Sequence, residues 1–280
     1  MKKIIAAFDG LKFSDSTKNC AIYLAKKTST HLVGVFLDDP VYSSVTIYNE
    51  IREKGFSDAT LEEIEGKDKV LRDKAAAAFE KACGEAGIEF TIHRDRNIAI
   101  SELKHESIYA DLLIIGVKET LAHFPEKPPT RFIRELLSET QCPVFLVPQK
   151  YKLPDKVILL YDGEPSSVHA IKMFSYLLPQ LKYLETEVLT VNQENKSLHL
   201  PDNRLMKEFM KRHFPNAAYK IKKGFAEDEI IKYLKLQNEN TLVVLGAYRR
   251  SGVSRWFRES MADVLMKELK LPLFIAHNKS

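Results

Sequence analysis

The chain carries the same plan twice. Its first half opens KKIIAAFDGLKFSDSTKNCAIYLAKK and its second opens DKVILLYDGEPSSVHAIKMFSYLLPQ. Each has a lysine-led apolar run, an Asp-Gly pair, a serine-bearing turn and then apolar residues at helical spacing. Asp9-Gly10 answers Asp162-Gly163, and DLLIIG (111–116) answers TLVVLG (241–246). The halves also close alike, with LLSETQCPVFLVP (136–148) against LMKELKLPLFIAH (265–277). A repeat unit of about 140 residues is the size of a whole domain, not of a solenoid module. Two homologous domains are therefore expected, 1–149 and 154–280, joined at the short polar stretch QKYKLP.

Within each half, short runs rich in Val, Ile and Leu alternate with longer amphipathic segments. The first half offers strands at 3–8, 31–37, 88–93, 111–116 and 143–147, and helices at 14–28, 60–86, 98–109 and 130–139. The second offers strands at 156–161, 185–191, 217–222, 241–246 and 272–276, with helices at 165–180, 201–213, 225–236 and 260–269. Such alternation predicts an α/β domain, a parallel sheet covered by helices. Runs such as LLIIG and LVVLG are apolar at every position, as strands buried on both faces must be. Gly116 and Gly246 close the fourth strand of each half, where the backbone turns into a loop. Ligands of such sheets sit beyond the carboxyl ends of the strands. Asp9, Asp162, Gly116 and Gly246 all fall at that edge.

Composition narrows the function classes. Of 280 residues, 45% are hydrophobic and 29% charged, ordinary for a globular chain. No run approaches the roughly 18 to 20 apolar residues that cross a bilayer. The apolar start IIAAF stops at Asp9, too short for a signal-peptide core, and reads as a first strand. Cys20, Cys83 and Cys142 are odd in number and form no CxxC pair, which fits buried, reduced thiols in a cytoplasm. A net charge of +4 and a pI near 8.7 fall short of the clustered basicity of a nucleic-acid binder. The expectation is a cytoplasmic protein with neither membrane nor nucleic acid as partner.

The ordered set of an Asp and a nearby Ser after strand one, a Gly-bearing loop after strand four and a closing CPVFLVP strand resembles the universal stress protein family, in its tandem form. KKGFAEDEIIKYLKLQNENTLVVLG likewise looks like that family's third helix and fourth strand. The resemblance leaves out 38–60 and 192–205. It implies a Rossmann-like sheet of the adenine nucleotide alpha hydrolase type, in strand order 3-2-1-4-5. It also implies pairing through the last strand, here as a pseudo-dimer within the chain, with a homodimer in addition.

One branch of the family binds ATP through Gly-x2-Gly-x9-Gly-Ser/Thr. Its glycines let main chain approach the phosphates, and the closing pair opens a helix whose N–H groups attract the anion. Gly246 matches the first station, Arg249 stands at the second and Glu259-Ser260 at the third, while Gly252 and Ser254 resemble residues inside the family's loop. Two glycines are thus replaced, one of them by an acid beside the phosphates' place. The first half departs further: GVKETLAHFPEKPPT has no glycine after Gly116, and Pro125, Pro128 and Pro129 remove donors.

Each candidate residue has a bland alternative. Ser260 begins SMAD, a capping-box pattern with Asp263 in the acid's place. Arg249, Arg250, Arg255 and Arg258 crowd a helix start, where guanidinium groups fit an anion or pair with nearby acids. Asp9 and Asp162 match the family aspartate near the nucleoside, and equally suit bracing of an Asp-Gly turn. Trp256 and Phe257 stack on a base or pack beneath the loop. The ligand set on this reading is Asp162, Gly163, Gly246, Arg249, Arg250, Gly252, Ser254 and Ser260, with Asp9 in the first domain. ATP or another adenine nucleotide is the candidate ligand of the second domain. The eight histidines show no metal spacing, and no nucleophile elbow or GxxxxGK[ST] loop occurs. The expectation is a regulatory, ligand-binding protein with weak or absent nucleotide affinity. An ATP-binding protein using domain two is the alternative, and a hydrolase or nucleotidyl-transfer enzyme on the same fold ranks last.

Overall fold

The computed structural model describes residues 1–37, 58–94, 98–120, 126–193, 199–247 and 260–277. The chain divides into two compact units, Met1–Cys142 and Pro143–Ser280. In the first, β1 (Lys3–Asp9), β2 (His31–Leu37), β3 (Phe90–His93) and β4 (Leu112–Gly116) alternate with α1 (Asp15–Thr28), α2 (Asp58–Ala86), α3 (Ala99–Ile108) and α4 (Arg131–Glu139). Its strands run parallel in the order β3-β2-β1-β4. Ile4 to Phe8 and Leu112 to Ile115 are wholly buried, which is why both runs lack any polar alternation.

The second unit holds β5 (Val144–Val147), β6 (Lys156–Leu160), α5 (Pro165–Leu177), a 3-10 helix (Pro179–Tyr183) and β7 (Glu185–Asn192). It continues with α6 (Asn203–His213), β8 (Ala218–Lys223), α7 (Ala226–Lys235), β9 (Thr241–Gly246), α8 (Met261–Glu268) and β10 (Leu273–Ala276). Strand order is β5-β10-β9-β6-β7-β8, so β6 to β10 reproduce the 3-2-1-4-5 plan, all parallel. β5 joins antiparallel, with Leu146, Phe145 and Val144 opposite Leu273, Phe274 and Ile275. The division into compact units falls before β5, whereas sequence reading places the join at 149–154.

Local chemistry fixes the helix starts that face the carboxyl edge. Ser14 caps α1, its Oγ accepting from Thr17 N at 3.2 Å. Thr130 caps α4 in the same way, 3.2 Å from Ile133 N. α5 instead begins at Glu164 with Pro165 in its first turn, where a missing N–H costs nothing. The core beneath the first unit's edge is aromatic. Phe8 lies 5.2 Å from Phe36 and 5.5 Å from Phe79, ring centre to ring centre. Gly34 makes this possible: a Cβ there would stand 2.7 Å from Cε1 of Phe79.

Candidate functional site

In the second unit the carboxyl ends of β6, β7 and β9 and the starts of α5, α7 and α8 surround one cavity of about 120 Å³. Tyr161, Asp162, Ser167, Ile230, Gly246 and Met261 are among its walls. The structure thus brings Asp162 and Gly246 together, and Ser260 adjoins Met261. Arg249, Arg250, Gly252 and Ser254 lie outside the described residues, as do Arg255, Trp256, Phe257, Arg258 and Glu259.

Each described candidate already has a structural task. Asp162 is exposed, and its Oδ1 accepts a hydrogen bond from Glu164 N at 2.9 Å, which braces the turn into α5. Gly163 adopts φ +88, and a Cβ on it would stand 2.7 Å from Cβ of Pro201. Pro201 is tied down in turn, because Tyr161 Oη donates to its carbonyl oxygen at 3.0 Å and Asn192 Nδ2 donates to His199 O at 2.8 Å. Gly246 is crossed by the first turn of α5. A Cβ at this position would meet the Ser166 carbonyl oxygen at 2.4 Å and Ser167 N at 2.8 Å. Ser260 caps α8, its Oγ accepting from Ala262 N at 3.3 Å. The side chain of Ser167 is buried and donates to Glu164 O at 2.8 Å.

The first unit's edge is different in charge. Asp9 is 2% exposed; its Oδ1 accepts from Leu11 N at 2.8 Å, while Oδ2 is buried without a hydrogen bond. Burial pushes the Asp9 carboxyl above the ordinary carboxylate range, against the opposing pull of Leu11 N–H, Lys12 and Arg72. Glu119, three residues past Gly116, folds back so that its Oε1 would stand 3.0 Å from a Cβ on Gly116. Its side chain as a whole is only partly covered, but the carboxyl points inward. Burial first, and then the charge of Asp9, push it up to about 8. Arg72 of α2 completes the edge, with Cγ 2.9 Å from where a Gly10 Cβ would be. Sequence reasoning missed Glu119 and Arg72. The first lies in a loop with no motif, and the second sits on a helix whose other charges, such as Lys67 and Lys81, face solvent.

No family model matches the chain, and no curated protein matches it. Solved structures do. A universal stress protein from Archaeoglobus fulgidus DSM 4304 aligns over 98% of each chain with a TM-score of 0.70 and 14% identity. The fold is that of a tandem universal stress protein. A functionally unknown protein from Pseudomonas aeruginosa PAO1 aligns over 99% of this chain and 92% of its own, with a TM-score of 0.61 and 14% identity. At such identity it is the universal stress protein fold that is shared, and function has to come from the site.

Gly246, read from the sequence as the first glycine of the ATP-binding pattern, has its missing Cβ required by α5. Ser260, read from the sequence as the last station, serves as a cap. Both residues would be needed here with no phosphate present. Elsewhere in the molecule, no group of three or more His, Cys, Asp or Glu with metal-site geometry occurs among the described residues. No described helix is long and apolar enough to cross a membrane. All three cysteines are buried and none is in a disulfide, and burial pushes the Cys83 thiol up to about 12, which keeps it unreactive.

Proposed function

We propose that the chain is a tandem universal stress protein that acts as a regulatory, ligand-binding protein, with nucleotide sites degraded fully in the first domain and partly in the second. The carrying observation is the cavity beside Asp162 and Gly246. As its described lining encloses it, it measures about 120 Å³, well below the roughly 300 to 1,000 Å³ of pockets that enclose a ligand of nucleotide size. Its floor is apolar, from Leu160, Leu189, Val191 and Leu245, and its polar walls are engaged in turns and caps. The first domain offers Asp9 and Glu119 at the corresponding edge, buried carboxyls of raised pKa that bring no positive charge to a phosphate.

On this reading ATP binds weakly or not at all, and any anion enters the second domain against Arg249, Arg250 and Ser260. Isothermal titration of the whole protein with Mg-ATP is the test. Heats no larger than dilution are expected, and a micromolar site would refute the reading in favour of an ATP-binding protein using domain two. Should a phosphate-bearing ligand bind, Arg249→Ala weakens it; unchanged affinity removes that arginine from the site.

A further inference from the structure

The chain's modest net charge hides an unequal division. Residues 143–280 hold 22 Lys and Arg against 15 Asp and Glu, whereas residues 1–142 hold 20 against 23. The excess of positive charge therefore lies wholly in the second unit. Part of it gathers where α5, the 3-10 helix and α6 meet. His213 ends α6 there, with Nδ1 2.6 Å from Oγ of Ser175 on α5. Its ring centre lies 4.1 Å from that of Phe209 and 5.3 Å from that of Tyr176. Burial, then the charges of Lys182 and Lys172, hold the His213 pKa below its ordinary value, so both lysines stand within electrostatic reach of this aromatic group.

α6 adds Arg204, Lys207, Lys211 and Arg212 against a single acid, Glu208. A basic last turn suits a helix carboxyl end, which accounts for Lys211 and Arg212 but not for Lys172, Lys182, Arg204 or Lys207. Among the described residues none of these six cations makes an ion pair, in contrast to Lys156 of the same unit, which has two carboxylate partners. Two aromatic rings are exposed on the helices that carry Lys172 and Lys182. Tyr176 is 60% exposed and Tyr183, next in chain to Lys182, is 94% exposed. Tyr183, so exposed, gains little from packing, and Tyr176 leans on His213 while staying largely in solvent.

We propose that this face of the second unit binds single-stranded nucleic acid, with Tyr176 and Tyr183 stacking on bases and the lysines and arginines tracking the phosphates. Cations alone would serve any acidic partner. Planar rings flanked by cations suit a chain that alternates flat bases with charged phosphates. The face is distinct from the cavity at Asp162 and Gly246, so the proposal stands whether or not a small anion binds there.

The test is fluorescence anisotropy of the whole protein with a labelled single-stranded RNA of about 12 nucleotides and mixed sequence. Binding is expected at about 50 mM salt and should weaken steeply by about 200 mM. Tyr183→Ala and Tyr176→Ala should each weaken it by about tenfold with the salt slope unchanged. Lys172→Glu together with Lys182→Glu should weaken it and flatten the slope. All four positions are at the surface, and circular dichroism would confirm that the variants fold. Absence of an anisotropy change at low salt overturns the proposal. So does binding that all four substitutions leave untouched. Equal competition by a poly-glutamate peptide, with no effect of the tyrosine variants, would assign the face to acidic protein segments instead and equally overturn it.

Discussion

At the scale of single residues, the two repeats set matching side chains in different surroundings. Asp9 and Asp162 each brace the turn that follows a first strand, yet one is buried and the other is exposed. In the first repeat the burial is shared with Glu119, and the consequence is a definite dependence on pH. A carboxyl raised to about 8 keeps its proton in the folded protein across a range where the unfolded chain, at the ordinary value of 4.5, has released it. Stability from this group is therefore complete below the unfolded value and is lost as pH rises through about 8; Asp9, also raised, contributes with the same sign. Glu119→Gln should flatten the dependence of the urea midpoint on pH and exceed the parent by about 1–3 kcal/mol at the alkaline end. Parallel curves for variant and parent would show that the carboxyl is not held inward. Gly246 supports a second prediction, since Gly246→Ala drives a methyl group into the Ser166 carbonyl at 2.4 Å. A loss of about 1–3 kcal/mol in urea unfolding is expected, with or without nucleotide.

At the scale of elements, Ser260 separates capping from ligand binding. As the N-cap of α8, its replacement in Ser260→Ala should cost about 0.5–2 kcal/mol of stability. If it also held a phosphate, anion affinity would fall by more than that destabilisation explains, and titration of the folded variant reads the difference. Elements were the most legible level of this chain. Every strand range read from the pattern overlaps an observed strand, because runs such as LLIIG and LVVLG can only be buried on both faces. The start of α8 was legible from Ser260, whose SMAD pattern reads as a cap. What stayed hidden depends on contacts far apart in sequence. That Gly246 lies under Ser166, that Pro201 lies on Gly163 and that Arg72 crosses Gly10 could not be read from neighbouring residues. Glu119 carried no signal beyond its place three residues after Gly116. The arginine-rich turn was legible as chemistry, and its residues from Tyr248 to Glu259 lie outside those described.

At the scale of the whole molecule, the join between the repeats has two readings with different consequences. Composition places it at QKYKLP, which would leave β5 with the first repeat. The division into compact units counts β5 with the second, where Val144, Phe145 and Leu146 lie along β10 and all four residues of β5 are buried. Cutting the chain distinguishes them. A fragment of residues 143–280 keeps the β10 edge covered by a strand whose side chains it already buries. A fragment of residues 154–280 leaves Leu273 to Ile275 with unpaired backbone groups along an apolar edge, the arrangement that recruits a strand from another chain. The longer fragment is therefore expected to unfold reversibly and to scatter light as a monomer. The shorter one should self-associate or lose on the order of several kcal/mol, since a buried strand's worth of apolar side chains is removed from its partner. Matching urea midpoints and matching masses for the two fragments would return β5 to the first repeat and place the join where the composition changes.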